Sequence, residues 1–483
     1  MDSNNQKIST KDFVLSVIKY NISYLIVSVI NIALIPVLTR VFSTEEYGTI
    51  NLFVAASTFM SGLFSFGMTN GYTRFFNEPP EGTNEKILRV KCVEIPVLTT
   101  LIVGLLIWVV APEKFLSKTV GVTNILVLPI LFMYVILTYI FLFIPVYYRM
   151  KMDVKKYTIV QIASSFLTKA SVLLVLFVPV TDLSITFFQT FGLLILAIII
   201  AILSYRQWKD YFSIAFSKSN PTIRKVYRFS LLSWPSTIMA SASQFLTQNA
   251  ICNVMDKDFL GIYSALSIFS GIIIAVKGGF STYWSSFIYK YYKNEQEKVQ
   301  CVHDIIMFML CILVTLTMCF RDVIFLLVGN EFRGGMSICI LVMSYSIFIF
   351  ASESTQYGIN LANRPQILSV VSALSIVVNL AGIYVLVPKW GLLGVGISAC
   401  ISGILYFAIN SYYGQKFYKM IKSPFRTLIA VILIVIVAFA NYYITNLWGV
   451  ILVSVIVIGI ACVLYISLIK KGIEIFRKYV ERR

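Results

Sequence analysis

KKYTIVQIASSFLTKASVLLVLFVP (Lys155–Pro179) and RPQILSVVSALSIVVNLAGIYVLVP (Arg364–Pro388) decide how this chain folds. Each opens on a cation, runs through a long apolar stretch and ends on Val-Pro. At 1.5 Å rise per residue, either is long enough to cross the roughly 30 Å hydrocarbon core of a bilayer as a helix. Their closing prolines lie 209 positions apart. A second pair keeps nearly that offset: EEYGTINLF (Glu45–Phe53) matches KDFLGIYSAL (Lys257–Leu266), and the glycines Gly48 and Gly261 are 213 apart. Two matches at nearly one offset imply a duplicated six-helix unit. Six is even, so both copies have the same orientation. They should be related by a pseudo-two-fold axis along the membrane normal, with a cavity between them.

The rest of the chain agrees. Of its 483 residues, 58% are hydrophobic and 13% charged, and the mean hydropathy is +0.84. Soluble domains average about 45–50% apolar and about 25% charged residues, so there is too little polar sequence here to cover a soluble protein. Apolar runs centre at roughly 14–39, 49–72, 92–111, 123–147, 157–178, 184–204, 229–251, 259–285, 303–320, 336–358, 366–387, 391–412, 427–445 and 448–469. The expected fold is an all-α membrane protein of about 14 transmembrane helices. Helices one to six form an N-lobe (1–210), seven to twelve a C-lobe (211–422), and thirteen and fourteen a C-terminal pair followed by a basic tail (423–483). The opening MDSNNQKISTKD is polar and lacks a cleavage signature, so the first span reads as retained.

Charge sets the direction. Thirty of the 40 Lys and Arg fall in one set of alternating loops and termini, and seven in the opposite set; Lys19, Lys169 and Lys277 lie within spans. The positive-inside rule then places both termini in the cytoplasm. The tail KKGIEIFRKYVERR has apolar residues at helical spacing and suits an anionic leaflet. A net charge of +18 would suggest nucleic acid in a soluble protein. Here it sits in short loops between apolar runs, which argues against a nucleic-acid partner.

Catalysis finds little footing. The eight cysteines show no CxxC or metal-ligand spacing, and His303 is the single histidine. There is no GxSxG, Walker loop or acidic metal cluster. The sequence therefore predicts no enzyme, metal or cofactor, with transport energy drawn from an H+ or Na+ gradient or the membrane potential. Outside loops of no more than about fifteen residues also argue against a glycan polymerase or ligase, which needs a larger acceptor domain.

Polar residues inside spans mark functional candidates, because a Lys or Arg at a helix centre costs roughly 2.5–3.5 kcal/mol on insertion scales. Lys169 is mid-span in helix five, Lys277 deep in helix eight, and Lys19 near the inner end of helix one. Lys277 sits on a stripe with Tyr263, Ser267, Ser270, Ser281 and Trp284 at spacings of three, four and seven. Helix seven presents Thr237, Ser241, Gln244 and Gln248, with Asn249 and Asn253 beside them. Helix one has Asn21, Tyr24, Ser28 and Asn31, and helix two has Thr58, Ser61 and Ser65. These four faces are expected to line one hydrated, net-positive cavity selective for anions. Glu353, near the inner end of helix ten, is the candidate for ion coupling. Replacing Lys277 by Ala is expected to reduce transport without loss of folded protein.

LTRVFSTEEYGTINLFVAASTFMSGLFSFGMTNGYTRFF (Leu38–Phe76) resembles the first two-helix signature of Wzx-type polysaccharide flippases, in the MOP transporter superfamily. FSLLSWPSTI (Phe229–Ile238) with DFLGIYSALSIFS (Asp258–Ser270) resembles the opening of their second half, and Leu361–Gly403 the signature of helices eleven and twelve. The resemblance implies alternating access and a polyprenyl-pyrophosphate-linked oligosaccharide repeat unit, moved from the cytoplasmic to the periplasmic leaflet for O-antigen or capsule assembly. It implies partners in an undecaprenyl-linked glycan, the lipid bilayer and other polysaccharide-assembly membrane proteins. Membrane arginines of the related lipid II flippases bind pyrophosphate; by position Arg74 matches best, and Arg40 lies at the opposite membrane edge. Lys169 and Lys277 rest on the physical argument alone. The alternative within the superfamily is a MATE-like multidrug or cation antiporter, although helix one lacks an acidic residue to serve as a proton site.

Overall fold

The computed structural model describes residues 10–110, 112–203, 205, 223–294, 296–362, 364–468 and 470; for residues 10–25, 236, 240, 282, 283, 285, 286 and 289–291 it describes the backbone alone. Lys19's side chain and the tail beyond 470 therefore lie outside the described residues. Every regular element among them is helical. The chain divides into two compact units, Met1–Gly261 and Ile262–Arg483.

The first unit contains α1 (Thr10–Val41), α2 (Thr44–Phe64), α3 (Met68–Phe75), α4 (Glu85–Val110), α5 (Pro112–Thr119) and α6 (Val127–Met150). Then come α7 (Val154–Ala170), extended by a 3-10 turn (Ser171–Phe177), α8 (Asp182–Leu203) and α9 (Arg224–Val254). α10 (Lys257–Tyr291) begins in this unit and continues into the second. There follow α11 (Gln296–Cys319), α12 (Arg321–Leu326), a 3-10 stretch (Asn330–Ile338), α13 (Cys339–Glu353) and α14 (Tyr357–Leu361). The unit closes with α15 (Gln366–Trp390), α16 (Leu392–Phe417), α17 (Pro424–Tyr443) and α18 (Leu447–Leu464). Among the described residues, 12 helical segments are long and apolar enough to cross a membrane. α1 and α9, 32 and 31 residues long, stand where spans one and seven are predicted.

Local chemistry starts these helices. Ser43 Oγ accepts the Glu46 N–H at 3.3 Å, and the Glu46 carboxylate accepts the Ser43 N–H at 2.9 Å, a reciprocal cap on α2. Asp153 accepts the Lys156 N–H at 3.1 Å and starts α7. Inside the spans no water satisfies a hydroxyl, so Ser and Thr donate to carbonyls one turn back. Ser57 to Phe53 (2.7 Å), Thr100 to Pro96 (2.7 Å) and Thr315 to Cys311 (2.8 Å) all do this. Small residues let backbones meet: a Cβ on Gly358 would strike the Gly414 carbonyl, and one on Gly414 the Thr355 carbonyl.

Span two is not one helix. Phe66 and Gly67 both adopt positive φ, 46° and 68°, between α2 and α3. Ser65 holds the break, donating to the Gly62 carbonyl at 2.7 Å and accepting the Gly67 N–H at 3.2 Å. Trp234 Nε1 satisfies the freed Leu63 carbonyl at 2.9 Å, and its ring packs on Phe66 with centroids 4.8 Å apart. Gly67 is required twice over, by its left-handed backbone and because a Cβ there would meet the Ser230 carbonyl.

In the second unit, buried Arg321 ties the end of α17 to the start of α12. Its Nη1 donates to the Asn441 carbonyl at 2.8 Å and its Nη2 to the Ile444 carbonyl at 2.7 Å. Asn441 in turn donates to the carbonyls of Met336 and Ser337 at 3.1 and 2.7 Å. A cation on exposed C-terminal carbonyls satisfies both hydrogen bonding and the helix dipole. Arg321→Ala is expected to destabilise the protein by about 3 kcal/mol, two charge-assisted bonds' worth. A thermal midpoint in detergent equal to the parent's would refute that role.

Candidate functional site

The polar groups of the second unit converge on Glu353, the last residue of α13, whose side chain is 2% exposed. Lys277 of α10 reaches its Oε2 at 3.3 Å. Ser281, one turn on along the same face, donates to Oε1 at 2.6 Å. Gln356 Nε2 donates to Oε2 at 2.8 Å, and the Tyr357 hydroxyl stands 3.5 Å from Oε1. The Lys277 side chain keeps 28% exposure, so the pair has a sealed carboxylate and a reachable ammonium. Directly behind, His303 of α11 is fully buried; its Nδ1 lies 2.8 Å from Ser354 Oγ and its Nε2 3.0 Å from Thr427 Oγ1. Both ring nitrogens are thus engaged by hydroxyls that bridge three helices.

In the first unit, the predicted residues fall in separate surroundings. Lys169 of α7 is half-buried and has no ion-pair partner among the described residues. One turn before it, Ser165 Oγ donates to Asn31 Oδ1 of α1 at 3.2 Å. Ser61 is buried with its hydroxyl unpartnered, and Ser65 belongs to the α2–α3 break. Gln244 is exposed, whereas Gln248 is buried with its Oε1 unpartnered. Asn249 donates to the Lys118 carbonyl at 2.7 Å and accepts from Asn253 at 2.8 Å. Thr237 faces α3, taking a bond from Asn70 at 3.2 Å. Arg40 is exposed at the end of α1. Arg74 is also exposed at the end of α3, paired with Glu78 at 3.1 Å and 5.5 Å from the Phe75 ring centroid.

Two cations were hidden from the sequence reading. Arg89 and Lys91 fall before the predicted start of span three at 92, yet α4 begins at Glu85 and buries both, at 4% and 5% exposure. Lys91 pairs with Glu94 at 2.8 Å. Arg89 stacks over Tyr147 at 4.9 Å and lies 3.9 Å from Glu85, which accepts the Tyr72 hydroxyl at 2.9 Å. The available signal was Glu85, Arg89 and Lys91–Glu94 at spacings of three and four, which places opposite charges on one helical face.

The repeat glycines meet. A Cβ on Gly48 would strike the Lys257 carbonyl and come within 3.2 Å of the Gly261 nitrogen, and one on Gly261 would strike the Thr44 carbonyl. Thr44 Oγ1 also bonds Asp258, and Lys257 pairs with Asp182 at 3.3 Å.

The sequence pattern described as "polysaccharide biosynthesis protein" matches residues 14–265. No curated protein matches the chain in sequence. Among solved structures, the inward closed conformation of the lipid II flippase MurJ covers 94% of this chain and 100% of its own, at 16% identity and a TM-score of 0.62. An inward-facing multidrug resistance MATE family transporter of the MOP superfamily covers 82% of this chain and 95% of its own, at 13% identity and a TM-score of 0.58. An outward-facing conformation of a multidrug resistance MATE family transporter of the MOP superfamily covers 83% of this chain and 95% of its own, at 14% identity and a TM-score of 0.54. The match across residues 14–265, half the chain, joins with the motifs quoted above: the protein belongs to the polysaccharide biosynthesis protein family, that of the Wzx-type flippases, and has the MOP transporter fold.

Proposed function

We propose that this protein is a flippase. It moves a polyprenyl-pyrophosphate-linked oligosaccharide repeat unit from the cytoplasmic to the periplasmic leaflet of a bacterial inner membrane by alternating access. Both termini lie in the cytoplasm, and the product feeds O-antigen or capsule assembly together with other membrane proteins of that process. The observation that carries the reading is Lys169, a cation within span five that has no carboxylate partner among the described residues. An unpaired ammonium away from bulk water attracts a phosphate far more strongly than water would allow. It gives a neutral drug nothing and repels a cationic one. Family membership supports a glycan-linked cargo, and the chain itself performs no chemistry on it. The multidrug reading has the MATE fold in its favour and the charge of the site against it.

Lys169→Met leaves no stranded carboxylate behind, so the fold should tolerate it. In proteoliposomes, flipping of a prenyl-diphosphate oligosaccharide should fall about tenfold, the equivalent of 1.4 kcal/mol, with the thermal midpoint unchanged. Full flipping by the variant would remove Lys169 from the mechanism. Deletion of the gene should leave undecaprenyl-linked intermediates on the cytoplasmic side. If they still reach the periplasmic side, or if the deletion changes only sensitivity to cationic dyes, the flippase reading fails.

A further inference from the structure

We propose that Lys277 is a shared cation. Glu353 holds it while the site is empty, a lipid diphosphate takes it when the site fills, and Glu353 then binds a proton. This rests on the flippase reading and gives one of its binding groups a regulated state.

The asymmetry of the pair is what makes the exchange possible. Lys277 is 28% exposed and Glu353 is 2% exposed, so an incoming ligand can reach the ammonium and cannot reach the carboxylate. A diphosphate offers more charge and more acceptor oxygens than one carboxylate, and so competes for the lysine. Once the lysine turns away, Glu353 keeps only neutral partners among the described residues: Ser281, Gln356 and Tyr357. A buried carboxylate without a countercharge is unfavourable and is neutralised by a proton. That proton comes from the aqueous side that admits the ligand. The neutral acid keeps the cluster bonded, because the Ser281 hydroxyl can accept where it had donated.

Among the described residues, the other groups facing Glu353 do not supply a substitute cation. Tyr406 on α16 interacts with it and with Tyr345 of α13. α11 brings His303 to Ser354, and α17 brings Thr427 to the far side of that ring. The tyrosines carry no positive charge, and the imidazole is held between two hydroxyls. Lys277 is therefore the countercharge whose departure Glu353 must answer. The consequence is selectivity: an empty site masks its own cation, and a ligand without negative charge cannot displace the mask.

The test uses the full chain in lipid nanodiscs and farnesyl diphosphate as the probe, titrated calorimetrically at pH 7.5 in two buffers of different ionisation enthalpy. The parent should take up about one more proton per ligand than Glu353→Gln, since binding and protonation are linked reciprocally. Glu353→Gln keeps the neutral hydrogen bonds and frees Lys277, so it should bind about tenfold more tightly, with a flatter dependence on pH. Equal proton counts and affinities in the two proteins would overturn the exchange and leave the flippase reading standing. No binding of the probe by either folded protein would overturn the diphosphate reading, and the exchange with it.

Discussion

Gly261→Leu should remove most of the folded protein. A Cβ at that position lands on the backbone carbonyl of Thr44, and the facing Gly48 is equally constrained by the Lys257 carbonyl. A flexible side chain could rotate out of the way; two helix starts fastened by the capping box at Ser43 and the Thr44–Asp258 bond cannot. Overpacking a close contact costs about 1–3 kcal/mol, and with backbone on the other side the upper end or beyond is expected. The control lies in the same helix: a Cβ on Gly271 meets nothing within 4 Å, and Leu is the better helix former. Gly271→Leu should therefore give normal yield and thermal midpoint on size-exclusion and melting analysis. If Gly261→Leu behaves like Gly271→Leu, the close approach of the repeat glycines is not what holds these helix starts.

Lys277→Ala is the second large effect, and here the structure changes what the sequence leads one to expect. Read as a lone cavity cation, Lys277 should be removable without harm to the fold. Paired with a carboxylate of 2% exposure, it is not. Removing one partner of a buried pair costs about 3–5 kcal/mol where the other charge is stranded, and proton uptake by Glu353 brings the cost here to the lower end of that range, whereas replacing both by neutral residues of similar size is close to neutral. The single variant should thus melt well below the parent, and Lys277→Met with Glu353→Gln should recover most of the loss. A double variant no more stable than the single would show that the two residues do not act as a pair.

The spans were legible because lipid imposes one rule, a long apolar run, and the chain states it plainly. Predicted span 427–445 is α17 at Pro424–Tyr443, and span 123–147 is α6 at Val127–Met150. The break in span two was not legible. Phe66 has no special tolerance for positive φ, and the Trp234 ring and indole N–H that stabilise the turn lie 168 residues away in sequence. The site was half legible. Spacing placed Lys277 and Ser281 on one face of α10, and Glu353 stood out as a carboxylate at the edge of a span. Their convergence depends on how two helices pack so as to bring together side chains 76 residues apart in sequence, which no local pattern encodes. Arg89 and Lys91 were missed for the opposite reason. They look like ordinary loop cations, and only the early start of α4 at Glu85 buries them.

The break at Phe66–Gly67 has a mechanical corollary. Bending an intact membrane helix strips carbonyls of their partners in a solvent that offers no replacements. Here that rupture is already made: the loose Leu63 carbonyl has been handed to an indole, and the Gly67 amide to a serine hydroxyl. The short segment carrying Arg74 therefore sets off in a new direction without orphaning either backbone group, and is pinned there by Asn70 on Thr237 and Tyr72 on Glu85.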